Sequence, residues 1–337
     1  MTDLINALVL LSNFVLIPAI TYGSQLALGA LGITIIYGIL RFANFAYGDL
    51  MAFATTFTIL FTWYFQSIGI SFGVLPTALL AIPFAIIVTI IFCLITDKLV
   101  FGYYRIKKSP SVTIAMVSLG VMFVTNAIVR IIIGPYDRRF ADGERFIIRA
   151  NEFKEMTGLN EGLAIKSTQV LTIVITIIVV SLLFWFLNKT KTGKSMRAYS
   201  DNEDLALLSG ISPARVVMIT WIIVAILATF AGTLYGLDKS FKPFTYFSLL
   251  LPIFASAIVG GIGNPVGALV GGYVIAFSEI IITYAYKKFF AYLLPESLEP
   301  NNLVQLLSTD YKFAVSFSIL VIVLLIRPSG ILKGKTL

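Results

Sequence analysis

Long stretches without a charged residue constrain this sequence more than any other feature. Seven stretches of 14 to 47 residues contain no Asp, Glu, Lys or Arg. They are Leu4–Leu40, Leu50–Thr96, Ser109–Val129, Ser167–Asn188, Val216–Leu237, Pro243–Ser278 and Phe313–Ile326. A helix needs about 20 apolar residues to cross the hydrocarbon core of a bilayer, which is about 30 Å thick. The pattern therefore predicts an all-α polytopic membrane protein.

The number of membrane segments follows from the lengths of these stretches. The three longest each hold two passes, or one pass and a broken segment, and the others hold one each. Turns are expected where Gly, Ser or Pro gather, at Thr21–Ser24, Ser67–Phe72 and Gly260–Pro265. We therefore expect about ten transmembrane or broken helices in a single domain that spans residues 1–337.

Composition supports a membrane protein and excludes several kinds of site. Only 12% of the residues are charged, against about 25% in soluble domains. The chain has no histidine, which removes histidine-based catalytic sites and the usual zinc sites. We expect no catalytic residue, metal or cofactor. The net charge of +8 is interpreted as basic loops on the cytoplasmic side rather than as a nucleic-acid surface.

Basic residues near the ends of the spans predict the orientation. The turn at 102–109 and the tail after the last span carry bases and no acid, and the loop at 189–215 has five bases against three acids. These segments are expected in the cytoplasm. The loop at 134–166 has six of each and is expected outside the cell. With ten passes the N-terminus would also be cytoplasmic, whereas one long helix over Leu4–Leu40 would reverse that.

The cytoplasmic loop at 189–215 contains the clearest local pattern. Ser200 and Glu203 have the spacing of an S-x-x-E capping box, Gly210 suits a left-handed helix cap, and Pro213 suits the start of the next helix. A short helix is therefore predicted over Asp201–Ser209. Its apolar residues are Leu205, Ala206, Leu207 and Leu208, with Ile211 just beyond. Such a helix suits docking onto a cytoplasmic protein, or else it packs along the chain's own membrane helices.

Dense glycine marks a second unusual segment. Pro252 interrupts Pro243–Ser278, and Gly260, Gly261 and Gly263 then break it. Glycine this dense disfavours helix and can free backbone polar groups inside a membrane, a device that transporters use to meet polar solutes. The alternative is a tight turn at the cytoplasmic face.

Three polar residues lie inside or beside the apolar stretches. Glu279 falls in the apolar run Val266–Tyr284, where a carboxylate is costly and therefore a functional candidate, unless it lies near the interface. Asn44 and Asp49 lie between two apolar runs, either as a polar link or as part of a solute pathway. The candidates for a translocation path are Asn44, Gly260, Gly261, Gly263 and Glu279.

The source of energy must lie outside this chain. Gly193-Lys194-Ser195 resembles the end of a phosphate-binding loop, but Asn188 stands where that motif needs its first glycine. Energy would come from a partner or from an ion gradient. An ion-coupled secondary transporter is therefore the alternative to an ATP-driven one, and Glu279 is its best ion-site candidate.

Four stretches in register resemble the permeases of Liv-type branched-chain amino acid ABC importers. They are Gly32–Gly38 with Asn44–Asp49, Met196–Ile211, Phe254–Glu279, and Tyr311–Leu332. The motif Asn44-Phe45-Ala46 is similar to that of the shorter of the two Liv permeases. Where the family commonly has a histidine this chain has Tyr47, and its loop at 134–166 also departs from the family.

The resemblance implies a role and a set of partners. The chain would be the permease of an importer for branched-chain or related neutral amino acids in the bacterial inner membrane. It would pair with a second, paralogous permease, two cytoplasmic ABC ATPases and an extracytoplasmic solute-binding protein. The Asp201–Ile211 segment is similar to the coupling helix that sits in a cleft of the ATPase. The implied coupling residues are Arg197, Asp201, Asn202, Leu205, Ala206, Leu208, Gly210 and Ile211.

Overall fold

The computed structural model describes residues 2–295, 300 and 302–333. In chain order the helices are α1 (Thr2–Leu40), α2 (Tyr47–Ser67), α3 (Ala78–Ile106), α4 (Ser111–Ile133), α5 (Ala150–Thr157), α6 (Ser167–Lys189), α7 (Lys191–Asp201), α8 (Glu203–Leu208), α9 (Pro213–Lys239), α10 (Pro243–Gly260), α11 (Pro265–Thr283), α12 (Lys287–Leu293) and α13 (Lys312–Ile326). Within the described residues, eight helices are long and apolar enough to cross a membrane: α1, α3, α4, α6, α9, α10, α11, and α13 with the turn before it. The all-α, polytopic fold is thus confirmed.

Helix α2 is a further long helix, and its first half is almost entirely buried. It contacts α3, α4, α9 and α10. Its depth in the bundle explains how it tolerates Asp49 near its start. The predicted turns at Ser67–Phe72 and Gly260–Pro265 are confirmed, because α2 ends at Ser67 and α11 begins at Pro265.

Helix α1 corrects the predicted turn at Thr21–Ser24, which is wrong. The helix runs unbroken over 39 residues, with one π-helical turn at Ser12–Leu16. The hydroxyls of Thr21 and Ser24 donate to backbone carbonyls one turn earlier. Gly23 lies against the Tyr273 ring, where a Cβ would be 2.5 Å from the ring. These small and polar residues serve packing between helices rather than a turn.

The unbroken α1 also decides on which side the N-terminus lies. The Asn6 side-chain oxygen accepts the backbone amides of Asn160 and Glu161, each at 3.2 Å, and Asn13 accepts the amide of Ala164. The N-terminus therefore lies beside the 134–166 segment. The prediction that both termini are cytoplasmic, which required a second pass within Leu4–Leu40, is wrong.

Two sides of the molecule can be named from the predicted orientation. The inner side carries the ends of helices near residues 41, 106, 189–213, 260–265 and 327–333. The outer side carries the N-terminus, the 67–77 turn and the 134–166 segment. That segment contains a two-stranded antiparallel pair, β1 (Phe146–Ile148) and β2 (Ile165–Lys166), with α5 between the strands.

Glycines allow three central helices to pack closely. A Cβ at Gly271 of α11 would lie 2.0 Å from the Ser256 carbonyl of α10, and a Cβ at Gly272 would lie 2.6 Å from the Ala27 amide of α1. Helices of membrane proteins use small residues in this way, because lipid gives them little hydrophobic reason to associate. Helices α1, α10 and α11 therefore form a tight centre.

Candidate coupling surface and membrane polar sites

The predicted helix over Asp201–Ser209 starts later than expected. Asp201 is the last residue of α7, and the extended Asn202 caps α8, its side-chain oxygen accepting the Leu205 amide at 3.0 Å. The Ser200–Glu203 capping box is wrong. Ser200 instead donates to the Gly38 carbonyl of α1 at 2.9 Å, and Glu203 accepts the Tyr199 hydroxyl. Asn caps a helix as well as Ser does, so the tertiary contact of Ser200 decides the boundary.

The end of α8 agrees with the sequence. Gly210 has a φ of +79°, in the left-handed region. Its amide donates to the Leu207 carbonyl, and the Ile211 amide donates to the Ala206 carbonyl, the pattern of a Schellman cap. Pro213 is the first residue of α9, as predicted.

Helix α8 presents leucines to its surroundings. Leu205 is 61% exposed and Leu208 is 85% exposed, whereas Ala206 is only 3% exposed. Arg197, Asp201, Asn202 and Gly210 are also exposed, and Ile211 is half-buried against the core. The leucines therefore do not pack along the described membrane helices. Ala206 faces the protein and holds α8 in place.

The segment that carries α8 is joined firmly to α1 and α6. Arg41, at the left-handed end of α1, donates to the Ser200 carbonyl. Gly193 of α7 lies against the end of α6, where a Cβ would be 2.3 Å from the Phe186 carbonyl. A displacement of α8 would therefore be passed through α7 to the inner ends of two membrane helices.

An inner cavity of about 160 Å³ brings two groups of predicted residues together. Arg197 and Asp201 of α7 line it, together with Gly38 of α1, and with Gly263 and Pro265 from the glycine-rich turn. These segments are far apart in the sequence, which therefore gave no reason to expect them around one cavity. The cavity therefore lies between two of the predicted coupling residues, Arg197 and Asp201, and one candidate path residue, Gly263.

The glycine-rich break forms a tight turn. Gly261 and Gly263 have positive φ values of +113° and +83°. The freed carbonyls of Val259 and Gly260 accept the amides of Ile331 and Leu332 in the C-terminal tail. Asn264 completes the junction, because its oxygen caps α11 and its amide donates to the Leu332 carbonyl. Gly260 and Gly261 are buried against this tail.

Glu279 is buried inside the bundle, with 1% of its surface exposed. The Ser316 hydroxyl of α13 donates to its Oε1 atom, while its Oε2 atom has no hydrogen-bond partner among the described residues. Tyr22 of α1 and Lys312 of α13 are close enough to interact electrostatically with the carboxylate. Lys312 also lies 5.6 Å from the centre of the Tyr22 ring. The site thus joins α1, α11 and α13.

Asn44 and Asp49 belong to the junction between α1 and α2. Asn44 is 3% exposed, and its oxygen accepts the Ala46 amide at 3.1 Å, which shapes the turn. Asp49 accepts a hydrogen bond of 2.6 Å from the Asn126 amide of α4. Sequence reasoning missed Asn126 and Ser316 as partners. A polar residue inside an otherwise apolar span was the pattern that could have indicated both.

No metal site accompanies these polar groups in the part of the chain that the structure describes. No three or more Asp, Glu or Cys side chains come together there in a way that could hold a metal ion. Together, the eight long apolar helices within the described residues define a multi-pass membrane protein, and α8 leaves Leu205 and Leu208 exposed at the inner side.

Comparison with known proteins places the chain in a family. It belongs to the family described as the permease component of the branched-chain amino acid transport system, whose model matches residues 15–324. The resemblance found in the sequence is thereby confirmed, and the chain is a transport component.

Several curated relatives align over nearly their whole lengths. The high-affinity branched-chain amino acid transport system permease protein LivH of Escherichia coli is 27% identical, over 93% of this chain and 92% of that protein. A probable LivH of Methanocaldococcus jannaschii is 31% identical, over 95% and 92%. BraD of Pseudomonas aeruginosa is 27% identical, over 94% of each. A solved structure of PsaBC from Streptococcus pneumoniae with a Fab has a TM-score of 0.46 and 13% identity, over 97% of this chain and 92% of that one.

Proposed function

We propose that this chain is the membrane-spanning permease subunit of an ATP-driven importer for branched-chain or related neutral amino acids. Family membership and the names of LivH and BraD support the solute class. The observation that carries the ATP-driven part is α8, a short capped helix with leucines exposed on the side predicted to be cytoplasmic. The bacterial inner membrane is the proposed location.

The proposed partners follow from what this chain lacks and what it exposes. Its phosphate-loop-like sequence lacks the required glycine, so the energy would come from elsewhere. The family and the exposed α8 favour two cytoplasmic ABC ATPases as that source. A second, paralogous permease would complete the pathway, and an extracytoplasmic solute-binding protein would deliver the amino acid. Burial of Leu205 and Leu208 in one of these ATPases would contribute roughly 3–5 kcal/mol.

The residues of the coupling surface have separate proposed roles. Leu205 and Leu208 would insert into the ATPase, and Arg197 and Asp201 would border the contact. Asn202 and Gly210 define the two ends of α8. Two further residues attach α8 to the membrane part: Ala206 and Ile211.

Coupling would proceed through α1. Closure of the ATPases would displace α8, and the contacts of Ser200 with Gly38 and Arg41 would carry that displacement to the inner end of α1. Because α1 packs along α9, α10 and α11, it can move the centre of the bundle.

The candidate path elements fall at three places along this route. Gly260, Gly261 and Gly263 would serve as the pivot at the inner end of α10. Asn44 would shape the nearby junction of α1 and α2, and Glu279 would lie toward the outer side.

The test is leucine uptake by the reconstituted importer, with and without ATP. Leu208→Asp should reduce ATP-driven uptake at least tenfold, because a charge replaces the apolar contact. Ile106→Asp is the matched control, since Ile106 is 84% exposed on the same side and lies outside the proposed contact. It should leave uptake unchanged.

Two outcomes would contradict the proposal. Equal uptake by the Leu208→Asp variant and the unaltered importer would remove the coupling role of α8. Uptake that survives ATP depletion but stops with an uncoupler would instead establish the ion-coupled alternative.

A further inference from the structure

A cavity of about 320 Å³ opens on the outer side, away from the coupling surface and the path candidates. Three segments line it: residues 139–145, the start of α6 from Lys166 to Thr168, and the end of α9 from Gly236 to Ser240. Its volume falls within the range of small-molecule sites in proteins. The cavity is therefore large enough for a free amino acid.

The two helix ends give the cavity a positive and a negative side. Helix α6 begins here, so its first amides have no acceptor within the helix and its dipole favours a bound anion. The Ser167 amide donates to the Arg145 carbonyl at 3.1 Å, which leaves the amides that follow it for a ligand. Lys166 stands at this end, and the exposed Arg139 and Arg145 line the same cavity. The acids Asp142 and Glu144 of the same segment also line it, so the excess of positive charge on this side comes from Lys166 and the helix start. Helix α9 ends here, so its last carbonyls favour a bound cation.

Asp238 supplies a second, independent indication of a ligand. Its side chain is only 4% exposed and lines the cavity, and its Oδ2 atom forms an ion pair with Lys239 Nζ at 3.5 Å. Its Oδ1 atom has no hydrogen-bond partner among the described residues. The nearest approach of Lys166 Nζ to that atom is 4.0 Å, too long for a hydrogen bond. A buried carboxylate oxygen normally has a donor, because leaving it without one is costly.

We propose that this cavity binds the zwitterion of a neutral α-amino acid. The ligand's ammonium group would donate to Asp238 Oδ1, and its carboxylate would accept from Lys166 and from the amides of α6 that follow Ser167. Buried Phe140 and Leu237 would border its apolar side chain. The inference rests on the proposed function for the choice of amino acids, and it assigns this chain a solute site of its own on the outer side.

The chemistry of the ligand provides a test that needs no mutation. Labelled leucine is added to the complex of permeases and ATPases in nanodiscs, without the solute-binding protein. Saturable binding is expected. Leucinamide lacks the carboxylate and 4-methylpentanoate lacks the ammonium group, so each should compete at least tenfold more weakly than leucine. Absence of saturable binding, or equal competition by either analogue, would overturn the proposal.

Substitution of Asp238 provides the second test. Asp238→Asn should weaken leucine binding about tenfold or more, because a charge-assisted hydrogen bond is lost. The matched control is Asp137→Asn: Asp137 is an exposed outer-side acid that pairs with Lys242 at 2.8 Å outside the cavity, and its substitution should leave binding unchanged. If Asp238→Asn prevents assembly, Lys166→Met tests the same site from the carboxylate side, with a similar loss expected.

The remaining outcomes separate this inference from its rivals. Weakened association of the solute-binding protein with unchanged leucine binding would make the cavity a docking site and overturn the proposal. ATP-driven leucine uptake by the complete importer without leucine binding here would overturn this inference alone. Absence of leucine uptake would instead refute the proposed function.

Discussion

Gly271→Ala should destabilise the bundle by forcing α10 and α11 apart. The new Cβ would lie 2.0 Å from the Ser256 carbonyl and 2.8 Å from the Gly260 amide, both of which are backbone groups. Separations below 3.0 Å do not persist, so the helices must move apart by about 1 Å. Since α11 also contacts α1 closely through Gly272, the centre cannot adjust one helix at a time. Overpacking of this kind costs about 1–3 kcal/mol.

Gly120→Ala is the matched control for this substitution. Nothing in the described part of the chain lies within 4 Å of a Cβ at Gly120, which is in the middle of α4. Alanine should therefore be neutral there, or stabilise the helix by about 0.5–1 kcal/mol through its higher helix propensity.

The assay is thermal unfolding of the purified chain in detergent. Gly271→Ala should lower the midpoint by several degrees, and Gly120→Ala should leave it unchanged or raise it. Equal midpoints for Gly271→Ala and the unaltered chain would refute the packing argument. So would an equal loss in both variants, because that would show a general intolerance of alanine.

Three further predictions concern the two sides of the molecule. Asn202→Ala should destabilise α8 by about 0.5–2 kcal/mol through loss of its cap, seen as faster hydrogen exchange in α8 with no change in α6. Ala206→Glu should abolish ATP-driven uptake while membrane insertion stays intact, because a carboxylate replaces a buried methyl group; normal uptake would contradict the proposed attachment of α8. Partial burial acts to raise the pKa of Asp142, but hydrogen bonds from Thr77 and Gln66 outweigh it and lower that pKa. The stability from this carboxylate is therefore present above its usual pKa and lost as the pH falls through the lowered value, so acid should speed proteolysis near residues 134–145; an equal acid response in Asp142→Asn would refute this.

The sequence could predict features that depend on the local chain. Gly210 was expected in a left-handed conformation, and Gly260–Pro265 was expected to break a helix; both hold, because backbone preference at glycine and proline is local. The sequence predicted the number of membrane passes less well, because it placed a turn at Thr21–Ser24 where the structure has an unbroken helix. The residues of Thr21–Ser24 are common in turns, but inside α1 their hydroxyls bond to their own helix, which only neighbouring helices make favourable.

In the candidate site too, local features could be predicted from the sequence and contacts between distant residues could not. The exposed leucines of α8 follow from a short apolar segment between charged residues, which the sequence displays. The start of α8 could not be predicted from the local sequence, because Ser200 donates a hydrogen bond to the Gly38 carbonyl, 162 positions away. The partner of Glu279 is likewise 37 positions away, on another helix.

The sequence alone determined that lipid surrounds most of this protein and that the 189–215 loop carries a short capped helix with apolar residues. Charge-free length decides whether lipid can surround a helix, and that property can be counted along the chain. Only the tertiary structure decided that α1 crosses without a turn, that Asp201 and Gly263 share a cavity, and that Asp238 faces the start of α6. Those outcomes depend on which distant helices pack together, because a buried polar group takes its partner from whichever neighbour the packing brings within reach.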